Sequence, residues 1–407
     1  MKRYRYRMYP DQEQCVHLVR VFGCARMVYN DVIAARRAAF AAGEKSPSVY
    51  DLMKLMARSK QTEERAWLGE VTDVALQQSM RGADAAYGNF FASLTGNRKG
   101  RKLGAPRFKS RKDHHDSFRI TGRANFAVRK VGAHRGQVRL PKVGWVHFAL
   151  SRDLPAAPSS LTVVRDPDGR YYVCFVVEAS ARTAPAPIHP CVGIDLGLDH
   201  LAVMAFDDGT SVKVDNPRHL NRKLRKLAAA QKELARRQKG SANREKSWHK
   251  VAVLHRKVRE TRLDHHHMLA RKVVDENQVI GLETLSIRGL GRTRMARSIH
   301  DAGWGTLVRL IEEKATEAGR TVVRADRFFP STRMCSACGA VGEKKPLRIR
   351  SWTCRCGATH DRDVNAAANL RNVAAGQAET LNDCGGRVSP APVPATTPEA
   401  VTALATT

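Results

Sequence analysis

Three acidic motifs, set far apart in the chain, carry its clearest chemistry: Val192-Gly-Ile-Asp195-Leu-Gly, Val279-Ile-Gly-Leu-Glu283 and Asp361-Arg-Asp363-Val-Asn365. Asp195 and Glu283 each close an apolar run, and the third motif follows a cysteine cluster. Carboxylates gathered by folding repel one another unless cations neutralise them, so such a set suits two Mg²⁺ or Mn²⁺ ions. Two ions at that spacing can hydrolyse a phosphodiester, activating water and stabilising the departing 3′ oxygen. Each acid also has a plainer reading: Asp195 as a strand end, Glu283 as a rim charge, Asp361 or Asp363 as a helix N-cap. In a strand, alternate side chains share a face, which puts Gly193 beside Asp195 and Gly281 beside Glu283. The missing side chains are expected to leave room for metal, water and a phosphate backbone.

Cys335-Ser-Ala-Cys338 and Cys354-Arg-Cys356 are separated by sixteen positions, counted from Cys338 to Cys354. Two thiolate pairs at this distance predict a structural Zn²⁺ ribbon. The second pair is CxC, yet in extended backbone residues i and i+2 share a face, so both sulfurs reach one metal. Trp352 and the basic stretch 344–350 between the pairs either touch nucleic acid or solvate the ribbon. The other cysteines, Cys15, Cys24, Cys174, Cys191 and Cys384, are scattered, and an odd total of nine argues against a disulfide framework.

The chain of 407 residues holds 70 Lys and Arg against 39 Asp and Glu, a formal charge of +31, which calls for a polyanionic partner. For a phosphodiester-cleaving site that partner is nucleic acid. No apolar run has the length of a membrane span, and the N-terminus alternates charge and aromatic residues instead of starting a signal peptide. The expectation is a soluble cytoplasmic protein without a membrane partner.

Residues 2–8 alternate like a strand, and helical spacing over 11–29 and 66–94 predicts a helical module. Between 95 and 113 lies a Gly-rich basic segment with Arg98, Lys99, Arg101, Lys102, Arg107, Lys109, Arg111 and Lys112, read as a loop facing a phosphate backbone. Short strands with turn residues fill 117–178, the clearest hairpin flanking Asp166-Pro-Asp-Gly169, and suggest a small β-barrel that recruits the first strand. After an Ala/Pro linker come three consecutive strands, then two long helices over 218–275 with eighteen Lys/Arg against five Asp/Glu. The hairpin is a nucleic-acid surface or an ordinary solvated pair. A strand at 278–283, a helix over 303–318, a strand at 321–324 and a last helix at 363–373 complete an RNase H-like mixed sheet.

In this order the motifs resemble the TnpB family, RNA-guided nucleases of small insertion sequences related to type V CRISPR effectors. The resemblance extends to about residue 373 and also rests on Arg7-Met-Tyr-Pro10, Gly23-Cys-Ala-Arg26, Pro106-Arg-Phe-Lys109, Leu140-Pro-Lys142-Val-Gly144, Gln238-Lys-Gly240-Ser241, Arg327-Phe-Phe-Pro-Ser331 and His360-Asp-Arg-Asp363-Val-Asn-Ala-Ala367. It implies an α+β multidomain protein. A wedge β-barrel takes its first strand from 1–9 and the rest from 113–182, with a helical recognition module and basic loop inserted at 10–112. After the linker 183–190, a RuvC-like nuclease domain at 191–333 includes the hairpin 218–275. The zinc ribbon at 334–358 interrupts that domain, which ends at 359–373, and a disordered tail follows at 374–407. Asp195, Glu283 and Asp363 become the Mg²⁺-binding catalytic triad, with Asp361 supporting. The family binds a guide RNA from the transposon end, reads a short motif beside the target and cleaves the paired double-stranded DNA. Gln77 and Gln78 are candidate readers of that motif, since glutamine pairs well with adenine. The competing functions are an RNA-guided repressor without cutting and a transposase using RNase H-like chemistry.

Overall fold

The computed structural model describes residues 1–384 except 114, 123–124, 179–181 and 347. Most of the expected disordered tail, from 385 onward, lies outside the described residues, while 374–384 belong to the last helix instead. The chain forms two compact units, one of residues 1–180 and 226–256, the other of 181–225 and everything from 257. The middle of the expected nuclease-domain hairpin, 226–256, thus groups with the first unit.

In the first unit, strand β1 (Lys2–Tyr9) precedes helices α1 (Gln12–Ala41), α2 (Val49–Ser59) and α3 (Asp73–Leu94). Six strands follow: β2 (Asp116–Thr121), β3 (Ala127–Gly132), β4 (Arg135–Leu140), β5 (Gly144–Ala149), β6 (Ser160–Arg165) and β7 (Tyr171–Val177). They form one antiparallel sheet in the order β2-β6-β7-β1-β5-β4-β3, and no ladder joins β2 to β3 among the described residues. The alternation of β1 explains its central place, because Tyr6 and Met8 are buried while Arg3 and Arg5 are exposed. Helix α1 starts in a capping box, the Asp11 carboxylate accepting from the Gln14 N–H at 2.8 Å. It runs unbroken to Ala41, past the expected end near Tyr29, because Val32 and Ile33 continue its buried stripe.

The Asp166-Pro-Asp-Gly169 turn does more than reverse the chain. Arg5 donates to Asp166 at 2.8 Å, and the buried Asp168 pairs with Arg170 and with the equally buried Arg256 of the second hairpin helix. Asp168 thus holds two arginines from a buried position, and losing one member of a buried ion pair costs far more than losing one of an exposed pair. Asp168→Ala is therefore expected to cost about 3–5 kcal/mol in a denaturant titration, against near-neutrality for an exposed pair such as Lys130–Asp153.

The second unit is built on a five-stranded sheet ordered β10-β9-β8-β11-β12. Its strands are β8 (His189–Asp195), β9 (His200–Phe206), β10 (Ser211–Asp215), β11 (Asn277–Leu282) and β12 (Thr321–Arg324). The first three pair antiparallel, whereas β8, β11 and β12 run parallel. Between β10 and β11 stand the basic helices α4 (His219–Arg236) and α5 (Ala242–Glu276), each shared with the first unit. After the short helix α6 (Ile287–Leu290) come α7 (Ala296–Ala302) and α8 (Trp304–Ala318), joined by Gly303 at φ +66°. Asp301 of α7 caps α4, accepting from the Leu220 and Asn221 N–H groups. Two short strands, β13 (Ser351–Thr353) and β14 (Thr359–Asp361), pair antiparallel before the last helix, α9 (Arg362–Cys384). No described helix is long and apolar enough to cross a membrane.

Candidate active site and cysteine cluster

Strands β8 and β11 run side by side in parallel, with Gly193 opposite Gly281 and Ile194 opposite Leu282. Asp195 and Glu283 therefore leave neighbouring carboxyl ends, on strands about 4.8 Å apart. The two glycines do not make room for metal or phosphate, as the alternation had suggested. A Cβ at Gly193 would overlap the Ala367 carbonyl and the Arg371 amide, and one at Gly281 would overlap the Leu370 carbonyl and come within 2.9 Å of the Ala374 methyl. The bare backbone of both strands is what lets α9 lie directly on the sheet. Its inner face, Ala366, Ala367, Leu370 and Ala374, is buried. The first turn of the same helix carries Asp363 to the two strand ends.

The three acids feel one another. Burial raises the Asp195 carboxyl well above the usual range, the charges of Glu283 and Asp363 raise it further, and Arg362 offsets them in part. Burial also pushes Glu283 up to about 7, against the pull of the Leu196 N–H. Carboxylates pressed together, with Arg362 and Arg350 offsetting only part of their charge, fit a divalent-cation site.

Asp361 is the helix cap. Its carboxylate accepts from the Asp363 and Val364 N–H groups at 3.0 and 3.1 Å and from the Lys213 ammonium at 2.6 Å. Partial burial pulls its pKa upward, but Lys213 and the capped N–H groups hold it below the ordinary value. Sequence reasoning missed several further residues. Arg350 links Asp199 to Asp363, which lies 3.5 Å away. The buried Asn365 and Asn369 donate to the Ser331 and Met334 carbonyls, and Asn365 accepts from the Ser336 N–H, tying the start of the cysteine ribbon to α9. Their one legible signal was spacing: positions 365 and 369 are one helical turn apart.

Cys335, Cys338, Cys354 and Cys356 converge, all four sulfurs lying within 4.8 Å of one another. The Cys335–Cys356 and Cys338–Cys354 pairs are 3.7 and 3.6 Å apart. Tetrahedral Zn–S bonds of about 2.3 Å imply sulfurs about 3.8 Å apart, so the cluster fits zinc. Positive-φ glycines, Gly339 and Gly357, close the two turns. Burial pulls the Cys335 thiol up, yet the Cys338 and Ala337 N–H groups and His360 bring it down to about 6. The Ala340 N–H pulls Cys338 down, but its three sulfur neighbours push it to about 12. Cys335 and Cys338, driven in opposite directions within one sulfur cluster, show the crowding that a bound cation relieves.

The basic residues fall into two groups. Arg98, Lys99, Arg101, Lys102, Arg107, Arg111 and Lys112 are exposed. Lys109 is exposed too, but it holds its ammonium 4.0 Å above the Tyr29 ring, and its backbone pairs with Asn30 through bonds of 2.8 and 3.0 Å. The segment is thus pinned to α1 through Asn30 and through Arg37, which donates to the Pro106 carbonyl. Gln77 and Gln78 lie on α3, but successive helical residues diverge by about 100°, and only Gln77 is fully exposed.

A family model described as "Probable transposase" matches residues 174–294, and one described as "Cas12f1-like, TNB domain" matches 304–370. A third, "Helix-turn-helix domain", matches 1–45, where the structure has one strand and one unbroken helix. The chain is 40% identical over 391 residues to the "Putative RNA-guided DNA endonuclease" of Streptomyces pristinaespiralis, covering 95% of this chain and 92% of that one. It is 28% identical to the "Putative RNA-guided DNA endonuclease InsQ" of Escherichia coli (strain K12), covering 93% of each. Among solved structures, a Cas12f1–sgRNA–target DNA complex matches with a TM-score of 0.53 at 15% identity, over 88% of this chain and 82% of that one. The mini-RNA-guided endonuclease CRISPR-Cas_phi3 matches with a TM-score of 0.50 at 9% identity, over 92% of each chain. The structures share the mixed α/β fold, and identity sustained over nearly the full length of a curated relative places this chain in the TnpB family.

Proposed function

We propose that this protein is an RNA-guided DNA endonuclease, which binds a guide RNA from its transposon end, recognises a short adjacent motif and cleaves the DNA paired to the guide. The observation that carries this reading is the meeting of Asp195, Glu283 and Asp363 at two parallel strand ends and one helix start. In this reading those three residues are the catalytic metal ligands, Cys335, Cys338, Cys354 and Cys356 hold structural zinc, and base pairing reads the target. When bound, two Mg²⁺ or Mn²⁺ ions would supply the activated water and the charge at the departing 3′ oxygen. The chain's own contribution is to hold the carboxylates: Gly193 and Gly281 seat α9, Asp361 caps it, and Arg350 restrains Asp363. The seven-stranded sheet is read as the wedge barrel and α1–α3 as its inserted recognition module, with Gln77 as the better placed motif reader.

The test is plasmid cleavage by protein expressed with its native downstream RNA, on a target flanked by randomised sequence, with Mg²⁺. Cutting that requires RNA and Mg²⁺ and selects one flanking motif supports the proposal. RNA-dependent binding without cutting overturns it in favour of a repressor, and activity without RNA in favour of a transposase.

The basic segment makes a separate prediction. Replacing Arg98, Lys99, Arg101 and Lys102 by Ala should weaken guide-RNA binding and flatten the plot of log affinity against log salt by about 3 units if all four meet phosphates. Lys109→Ala should barely change that slope, because its ammonium is committed to Tyr29. Filter binding across a salt series measures both.

A further inference from the structure

The histidine beside the cysteine cluster has no part in the function proposed above. His360 stands in β14 opposite Trp352 of β13, with ring centroids 4.9 Å apart. The buried Trp352 face fixes the imidazole plane. Its Nε2 lies 3.0 Å from Sγ of Cys335, the one fully buried cysteine of the four. His360 is not in the set of groups whose ligand atoms all lie within 4.8 Å of one another, so it approaches one sulfur from outside the cluster.

A Cys₄ zinc site carries two net negative charges, and N–H donors to its sulfurs offset that excess. A neutral imidazole protonated at Nε2 is such a donor. The contact matters because His360 is immediately joined to the start of α9. Its neighbour Asp361 caps that helix and binds Lys213, and Asp363 lies two residues further. Three residues span at most about 11 Å, so a displacement at His360 has little slack in which to die away before Asp363. The ribbon meets the same turn twice more, through the Arg362 N–H to the Arg350 carbonyl at 2.7 Å and through Arg350 itself to Asp363.

We propose that His360 is a positioning residue that fastens the zinc ribbon to the start of α9: Nε2–H donates to the metal-bound Cys335 thiolate, and so zinc occupancy sets where Asp363 stands. The first half rests on the cysteine cluster alone; the second rests also on the proposed catalytic triad.

The test uses the full chain and two metals with separate readouts. His360→Phe keeps an aromatic ring against Trp352 but removes the donor, whereas His360→Gln restores an N–H near the Nε2 position. Zinc affinity by chelator competition should fall about 10–100-fold in His360→Phe and recover largely in His360→Gln. In Co²⁺-substituted protein the thiolate-to-metal charge-transfer band should shift in His360→Phe and return in His360→Gln. With zinc saturating, Mn²⁺ affinity at the triad, read by electron paramagnetic resonance, should fall several-fold in His360→Phe only.

Unchanged zinc affinity and an unchanged Co²⁺ spectrum in His360→Phe would overturn the proposal. So would a wild-type Co²⁺ spectrum showing nitrogen as a direct ligand, or zinc loss with Mn²⁺ binding unaffected. Asp195→Ala runs in parallel: if it binds Mn²⁺ like the wild type, the triad reading has failed, not the histidine contact. Should His360→Phe not fold, ¹¹³Cd-loaded wild-type protein decides, since scalar coupling between cadmium and the His360 Nε2 proton requires the N–H···S bond, and its absence excludes it.

Discussion

Asp195→Ala, in protein carrying its guide RNA, lowers target cleavage by about 10³-fold or more while leaving RNA-dependent target binding intact. The size follows from its place at the centre of the three acids. Its proton affinity responds to both other carboxylates, so in the proposed site its loss would remove a shared ligand. Glu283→Gln and Asp363→Asn should fall in the same range, and pairs of these changes should cost little more than one, because the ligands act as a unit. A cleavage time course beside a gel-shift titration separates cutting from binding. Parallel loss of both would contradict the assignment.

The same electrostatics give a pH dependence. Without metal, folded Asp195 and Glu283 keep protons above the pH at which ordinary carboxylates lose them, Glu283 to about 7. The folded state then binds more protons than the unfolded one from about pH 4.5 to 7, so metal-free stability declines as pH rises through that window. In the proposed site Mg²⁺ would have to displace those protons, so its binding would strengthen as pH increases. The thermal shift produced by Mg²⁺ should therefore be larger at pH 7.5 than at pH 5.5, and Asp195→Ala should reduce the difference.

Gly193→Ala is expected to cost about 3 kcal/mol or more, although it adds a single methyl group. That methyl would meet backbone, the Ala367 carbonyl and the Arg371 amide, which no rotamer change can move aside. For a unit of this size the loss lowers Tm by about 6–12 °C. Gly281→Ala should behave alike, since its Cβ meets the Leu370 carbonyl and the Ala374 methyl. Gly82→Ala on α3 is the contrast: nothing lies within 4 Å of that position, and alanine's helix propensity favours it by about 1 kcal/mol. Calorimetry on the three variants would expose any error, with equal effects refuting the packing argument. Activity in Gly193→Ala should fall further than stability alone explains, because α9 carries Asp363.

These glycines also show where reading the chain succeeds and where it stops. Strict alternation in Val192-Gly-Ile-Asp195 and Ile280-Gly-Leu-Glu283 was enough to put each glycine on the face of its acid, because period two is a local property of strands. What fills that face is a long-range matter, and the answer was a helix backbone instead of a metal pocket. The cysteine cluster was legible because ligand spacing constrains geometry directly. Arg350 was not, since its partners Asp199 and Asp363 lie 151 and 13 positions away and nothing local marks it among so many arginines. Lys109 was grouped with its basic neighbours because sequence gives charge, while the Tyr29 ring beneath it comes from another helix. Helix ends were mislaid at Tyr29 in α1, where Val32 and Ile33 continue the buried stripe, and at residue 373 in α9, where Ala374 is still buried.

The position of α9 has a consequence for the life of the molecule during synthesis. Its first turn is made some 80 residues after Glu283. Until then a nascent chain has two of the acids and a sheet whose glycine faces stand uncovered. A chain interrupted before α9 would therefore still carry every residue of its first unit but lack Asp363, the third acid of the proposed site. The order of the chain makes synthesis of α9 the step that brings the third acid of the proposed site to the other two.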